Sequence, residues 1–327
     1  MKKLQTIDVY LIPLIFVSLA AATLRTVALL TDFDTASMHY DNKIAFAISA
    51  IIVVISSIAF LTYLFLGDKD KPLIARSDNA ASYIPAGIVS TALLFMGVNN
   101  LSSGLNTYRE GVVGILSLIT GVLALLSIAS FFLSVFIEKS NNLYKAAFSL
   151  CIVMFLAVYA ALLYFNKTAH PTNSPNRLID QLAYLFTAVF FLYEARIPLG
   201  RAKWRGYVAF GLCATLMAVY SSVPALIYYF VSGYSVSESL IEIILTLTMA
   251  IYVAARVVQI KSMTPDSKCR AAVGIETLAA MREEEMKAQH NPHACDIDNM
   301  EENDDTEDAS NYSFDIPDAE DSKSIDA

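Results

Sequence analysis

Charge is what this sequence has least of. Only 17% of its 327 residues are Asp, Glu, Lys or Arg, where a soluble domain carries about 25%. A surface so poor in ionic groups does not suit water, which excludes an ordinary soluble fold. Cysteine is sparse as well: four residues, none in a CxxC spacing, exclude a disulfide framework and a dithiol redox centre, and all four are read as plain thiols. No Gly-rich phosphate loop and no Gly-x-Ser-x-Gly motif is present, and no Asp, Glu, His or Lys is expected at the middle of an apolar run. Nucleotide binding, serine hydrolysis and proton relays therefore lack their usual parts. No catalytic residue, cofactor site or metal site is expected, and no nucleic-acid partner.

What is abundant is apolar. Such residues make up 56% of the chain, the mean hydropathy is positive, and the runs are long. Ile7–Leu30, Ile44–Leu66, Ala80–Val98, Gly111–Ile137, Ala146–Phe165, Tyr207–Phe230 and Leu240–Ile260 each approach or exceed the length of about 20 residues that crosses a bilayer. An eighth run is weaker. Only Leu182 to Tyr193, 12 residues, is free of charge there, so Leu178 and Ile179 at one end and Ile197 to Leu199 at the other must extend it. Arg201, Lys203 and Arg205 follow at once, and such a cluster beside a span is a strong cytoplasmic signal.

Sidedness follows from the loops. With eight spans and both ends inside, the inner segments hold eleven cations: Lys2, Lys3, Lys69, Lys71, Arg76, Lys139, Lys145, Arg201, Lys203, Arg205 and Lys261. The outer segments hold four, Lys43, Arg109, Lys167 and Arg177. Omitting the weak span would place the Arg201 cluster outside, against the rule that Lys and Arg favour the cytoplasm. The basic start and Ser18-Leu-Ala-Ala-Ala22 also resemble a secretory signal, but Asp8 and Pro13 interrupt its core and the apolar run continues. A retained first span is expected.

The expected fold is all-α: a polytopic transmembrane helix bundle of about eight spans over residues 1–262, a short helix or linker over 263–289, and a disordered acidic tail over 290–327. Residues 1–260 hold 17 Lys/Arg and 13 Asp/Glu, net +4, while 261–327 hold 6 and 18, net −12. So acidic a segment with few large apolar groups cannot bury enough surface to offset its chain entropy. Within the bundle, Gly114, Ser117, Gly121 and Ala124 flatten one face of the fourth span for close packing. Pro224 should kink the seventh, with Ser221 and Ser222 placed to re-satisfy the freed backbone. A faint likeness between spans three and seven would fit a four-plus-four duplication, although apolar helices resemble one another by composition alone.

Four charges are expected to matter inside the bundle. Arg25 and Glu242 lie at similar depth near the outer surface, and Glu194 and Arg256 near the inner one, so each couple is expected to pair across helices unless the side chains reach the headgroups separately. Asp32-x-Asp34 in the first outer loop resembles the metal and lipid-phosphate site of multi-span glycosyltransferases, which would imply a divalent cation held by carboxylates. The loop of 13 residues is short for a catalytic element, and a solvated acidic loop is the expected reading. His290, His293 and Cys295 have zinc-ligand types at an unconventional spacing, and Asn166-Lys-Thr168 fits a glycosylation acceptor. The expected function is a non-enzymatic sensor, regulatory or scaffold protein of the cell membrane, in contact with lipid and, through its tail, with a cytoplasmic protein. The alternative is a small-molecule transporter, and a glycosyltransferase-like enzyme using Asp32 and Asp34 comes third.

Overall fold

A backbone N–H or C=O left open in hydrocarbon is costly, so a long apolar run folds as a helix that satisfies its own backbone. The computed structural model describes residues 6–35, 37–66, 80–135, 142–166, 174–199, 202–236 and 239–260. All of these fall in the first of two units, Met1–Cys269 and Arg270–Ala327; the expectations for 263–289 and 290–327 lie outside the described residues. Nine α-helices are described: α1 (Thr6–Asp32), α2 (Lys43–Leu61), α3 (Tyr63–Leu66), α4 (Ala80–Thr107), α5 (Val112–Val135), α6 (Asn142–Phe165), α7 (Pro175–Ala195), α8 (Trp204–Ser232) and α9 (Leu240–Gln259). With α3 continuing α2, eight spans are long and apolar enough to cross a membrane.

The weak span gains its length at its start. Ser174 precedes Pro175, whose fixed φ and missing N–H suit the first helical position, and α7 therefore begins three residues before Leu178. Its 21 residues reach about 31 Å at roughly 1.5 Å per residue, enough for the hydrocarbon core. Two other boundaries differ from expectation. The apolar run expected to end at Val98 continues as α4 through Asn99 and Gly104 to Thr107, because Asn100 donates to Thr120 Oγ1 at 3.3 Å and Gly104 lies against Leu118. The first outer loop is partly ordered as an antiparallel hairpin, β1 (Phe33–Asp34) with β2 (His39–Tyr40). Its turn holds Met38 at φ 56°, and Asp34 Oδ2 accepts from Ser37 N at 3.1 Å.

Consecutive helices alternate in direction, so the bundle has two ends: one carries the hairpin, the other Trp204. Helix α8 is the centre, touching α1, α2, α7 and α9, while α4, α5 and α6 complete the circuit from α9 to α7. The helix hairpin α4/α5 has the most extensive contact, and its glycines face the partner helix. A methyl on Gly121 would stand 2.7 Å from Leu101 Cγ, and one on Gly97 2.9 Å from Leu125 Cδ2. Large apolar side chains such as Phe16, Ile55, Phe95 and Phe230 point outward from the helices, where only lipid would accept them.

Candidate functional site

The polar chemistry of the bundle sits in two layers, and the upper one begins with a proline. Pro224 has no N–H, so the Tyr220 carbonyl one turn back loses its helical partner. The Arg25 guanidinium of α1 takes that place. Its Nη1 donates to Tyr220 O and, at 3.2 Å, to Ser221 O, and the group lies 5.0 Å from the Tyr220 ring centroid. Its Nη2 donates to Asn176 Oδ1 at 3.0 Å, and the residue is only 1% exposed. The serines expected to heal the kink do other things: Ser222 bonds back to Ala218 O within the helix, and Ser221 donates to Asp180 Oδ1.

From Asp180 the layer continues across α7 to α9. Asn176, Asp180 and Tyr184 recur at four-residue steps and so share one face of α7. Tyr184 Oη lies 2.8 Å from Thr246 Oγ1 and 3.3 Å from Glu242 Oε1. Asn176, Asp180, Tyr184 and Glu242 are all buried. The hairpin caps this end: Tyr40 stacks on Phe46 with ring centroids 4.4 Å apart and donates to Asn176 Oδ1 at 2.8 Å. Burial raises the Tyr40 phenol above its ordinary value, the charge of Arg25 working the other way, so it stays a donor. Beside it Arg177 is buried in the first turn of α7, donating to Tyr164 O with its guanidinium 5.7 Å from the Tyr164 ring centroid. It is not the loop cation that the sequence implied.

The lower layer, at the Trp204 end, is a clasp of α7, α8 and α9. Glu194 Oε1 accepts from Arg256 Nε at 2.8 Å and from Tyr252 at 3.2 Å, and lies 2.6 Å from Arg256 Nη2. Its Oε2 accepts from Tyr207 at 2.8 Å. Both ionic side chains are about nine-tenths buried, at 12% and 11% exposure. A buried ion pair holds only when its remaining lone pairs are satisfied, and two tyrosines do that here. Trp204 Nε1 donates to Tyr63 at 2.8 Å nearby. Between the layers the space is aromatic: Phe131 and Phe191 flank Tyr252 with centroids 5.1 and 5.7 Å away, and Tyr159 meets Tyr184 edge-on at 5.1 Å.

The structure thus joins Glu194 to Arg256 directly. It does not join Arg25 to Glu242: the two share a layer, but Arg25 is held by α8 carbonyls and Asn176, and Glu242 by Tyr184, with Ser221 and Asp180 between. Asn176, Asp180 and Tyr184 were not among the residues expected to matter, and their four-residue spacing is the only mark the sequence carries of their shared face. Of the basic cluster, Arg201 lies outside the described residues, Lys203 is exposed, and Arg205 Nη1 lies 3.5 Å from Leu64 O. Asp32 ends α1, its carbonyl accepting from Asp41 N at 2.8 Å, and Asp34 anchors the hairpin turn. Among the described residues no group of three or more His, Cys, Asp or Glu converges as metal ligands would; His290, His293 and Cys295 lie outside them. An apolar groove of about 370 Å³ between α4 and α5 is lined by Ala86, Ser90, Leu94, Ile128 and Phe131. No family model, curated protein or solved structure matches this chain.

Proposed function

We propose that this protein is a non-enzymatic sensor, regulatory or scaffold protein of the cell membrane, with both termini in the cytoplasm and an acidic, disordered tail that contacts a cytoplasmic protein. The observation that carries this reading is the packing among the described helices. Polar side chains of α1, α7, α8 and α9 are bonded to one another in two layers, and the space between is occupied by Phe131, Phe191, Tyr159 and Tyr252. Such a bundle suits the passing of a change in helix position better than the passing of a solute. The cation count of the loops supports the orientation.

A transporter is the second reading, favoured by Pro224 within α8 beside buried charge. Water access separates the two. Ala188 is buried on α7 between the layers, and an Ala188→Cys variant lacking the four native thiols reports hydration there. In sealed membrane vesicles of either orientation, an impermeant thiol reagent should leave it unlabelled. Labelling from both sides would establish alternating access and make the protein a transporter.

A further inference from the structure

Among the buried polar atoms of the upper layer, those left without a partner are Arg25 Nε, Asn176 Nδ2, Arg177 Nε and Arg177 Nη1. Every one is a donor. An N–H buried without an acceptor is costly and uncommon in a folded protein, and it calls for an occupant. Turning the Asn176 amide over does not help, because Oδ1 already accepts from Arg25 Nη2 and Tyr40 Oη, and a guanidinium cannot accept in return. The orientation is therefore fixed, with the Arg25 Nε–H and both N–H groups of the Asn176 amide unused on side chains that touch. What both lack is an acceptor.

The surroundings favour a negatively charged one. Asn176 and Arg177 occupy the first turn of α7, where the helix has positive end character and backbone N–H groups without helical partners. The Arg25 guanidinium, 1% exposed, meets that turn at Asn176, while the adjacent Arg177 turns to Tyr164 of α6. The carboxylates of the layer stand further along: Asp180 is one turn into α7 and accepts from Ser221, and Glu242 lies across on α9 against Tyr184. Tyr40, 3% exposed, closes the place from above.

We propose that the N-terminus of α7, with Arg25 and Asn176, is a binding site for one small monovalent anion, a halide or the carboxylate of a small acid. The site goes beyond the sensor reading and is independent of it, since an anion held here would stabilise the bundle whether or not the protein senses or transports.

The test is the thermal stability of the purified full-length protein in detergent, at constant ionic strength, as gluconate is replaced by chloride or by acetate. Gluconate is too bulky to be enclosed, so a small anion should give a saturable rise of about 2–4 °C, and the better of the two identifies the class. The decisive variant is Asn176→Asp, which keeps the acceptor for Arg25 and Tyr40 and offers its second carboxylate oxygen to Arg25 Nε. It should be insensitive to the replaced anion. An insensitive wild type would mean that water fills the place, and an Asn176→Asp protein as responsive as wild type would put the anion elsewhere; either overturns the proposal. Should the variant fail to fold, crystals of the unaltered protein grown with bromide and with acetate decide: an anomalous bromide peak or acetate density between Arg25 and Asn176 supports the site, and the absence of both refutes it.

Discussion

At the scale of single residues, the closest dependence in the molecule is between Pro224 and Arg25. A proline within a span frees a carbonyl, and in hydrocarbon that carbonyl must find a donor. Here the donor comes from another helix, so a backbone irregularity in α8 is tied to a charge in α1. Replacing Arg25 by Leu strands Tyr220 O and should cost about 1–3 kcal/mol, in addition to what is lost at Asn176. Pro224→Ala returns an N–H to the same carbonyl. In the Pro224→Ala background Arg25→Leu should therefore cost less, with a coupling of about 0.5–2 kcal/mol by thermal or denaturant unfolding in detergent. Strict additivity would mean that the two residues do not serve one carbonyl. The sequence offered Pro224 and Arg25 separately. Nothing in their spacing linked them, because the link depends on which helix packs beside the proline.

At the scale of elements, α4 and α5 show how close approach is built and where it ends. Their glycines sit where a Cβ has no room: one added at Gly121 would also stand 2.9 Å from Leu101 N, a backbone atom that cannot move aside without moving α4. At Gly87, toward the other end of α4, an added Cβ meets nothing within 4 Å. Gly121→Ala should therefore lower stability by about 1–3 kcal/mol, while Gly87→Ala should leave it within about 0.5 kcal/mol, as read by unfolding in the same detergent. Equal effects would show that glycine acts in these helices through backbone freedom rather than space. Elements were also where the sequence was most legible. Seven of the spans follow from long apolar runs, and the small-residue spacing on α5 marked its close-packed face. The polar end of α4 was misread because Asn100 and Gly104 look like loop residues until Thr120 and Leu118 of the neighbouring helix are in view. The Glu194 and Arg256 contact could be anticipated from equal depth, which is a property of spans. Equal depth alone could not foretell that Arg25 would turn to α8 rather than to Glu242.

At the scale of the whole molecule, charge divides the chain between a bundle, net +4 over residues 1–260, and a segment of net −12 over 261–327. If the basic face is cytoplasmic, cysteines placed at the exposed Lys203 and at Ser310, in a protein lacking its native thiols, should both resist an impermeant reagent added outside intact cells. Labelling at either would overturn the orientation. The acidic segment then lies on the side where lipid headgroups are anionic, and its 18 carboxylates against 6 cations are repelled by that surface. On that reading the segment would be available to a basic partner. The bundle has its own interior, and both bonded layers lie before residue 260. Truncation after Lys261 should accordingly leave insertion and the unfolding temperature nearly unchanged, within about 2 °C on the scale that relates free energy to melting temperature. What should be lost is association with a basic cytoplasmic protein, and in the intact chain that association should weaken as salt rises, because the ionic attraction fades once the screening length falls to about 8 Å or less. A truncated protein that fails to insert, or that melts far earlier, would make the segment part of the bundle's architecture. The regulatory reading would then lose the element through which it acts.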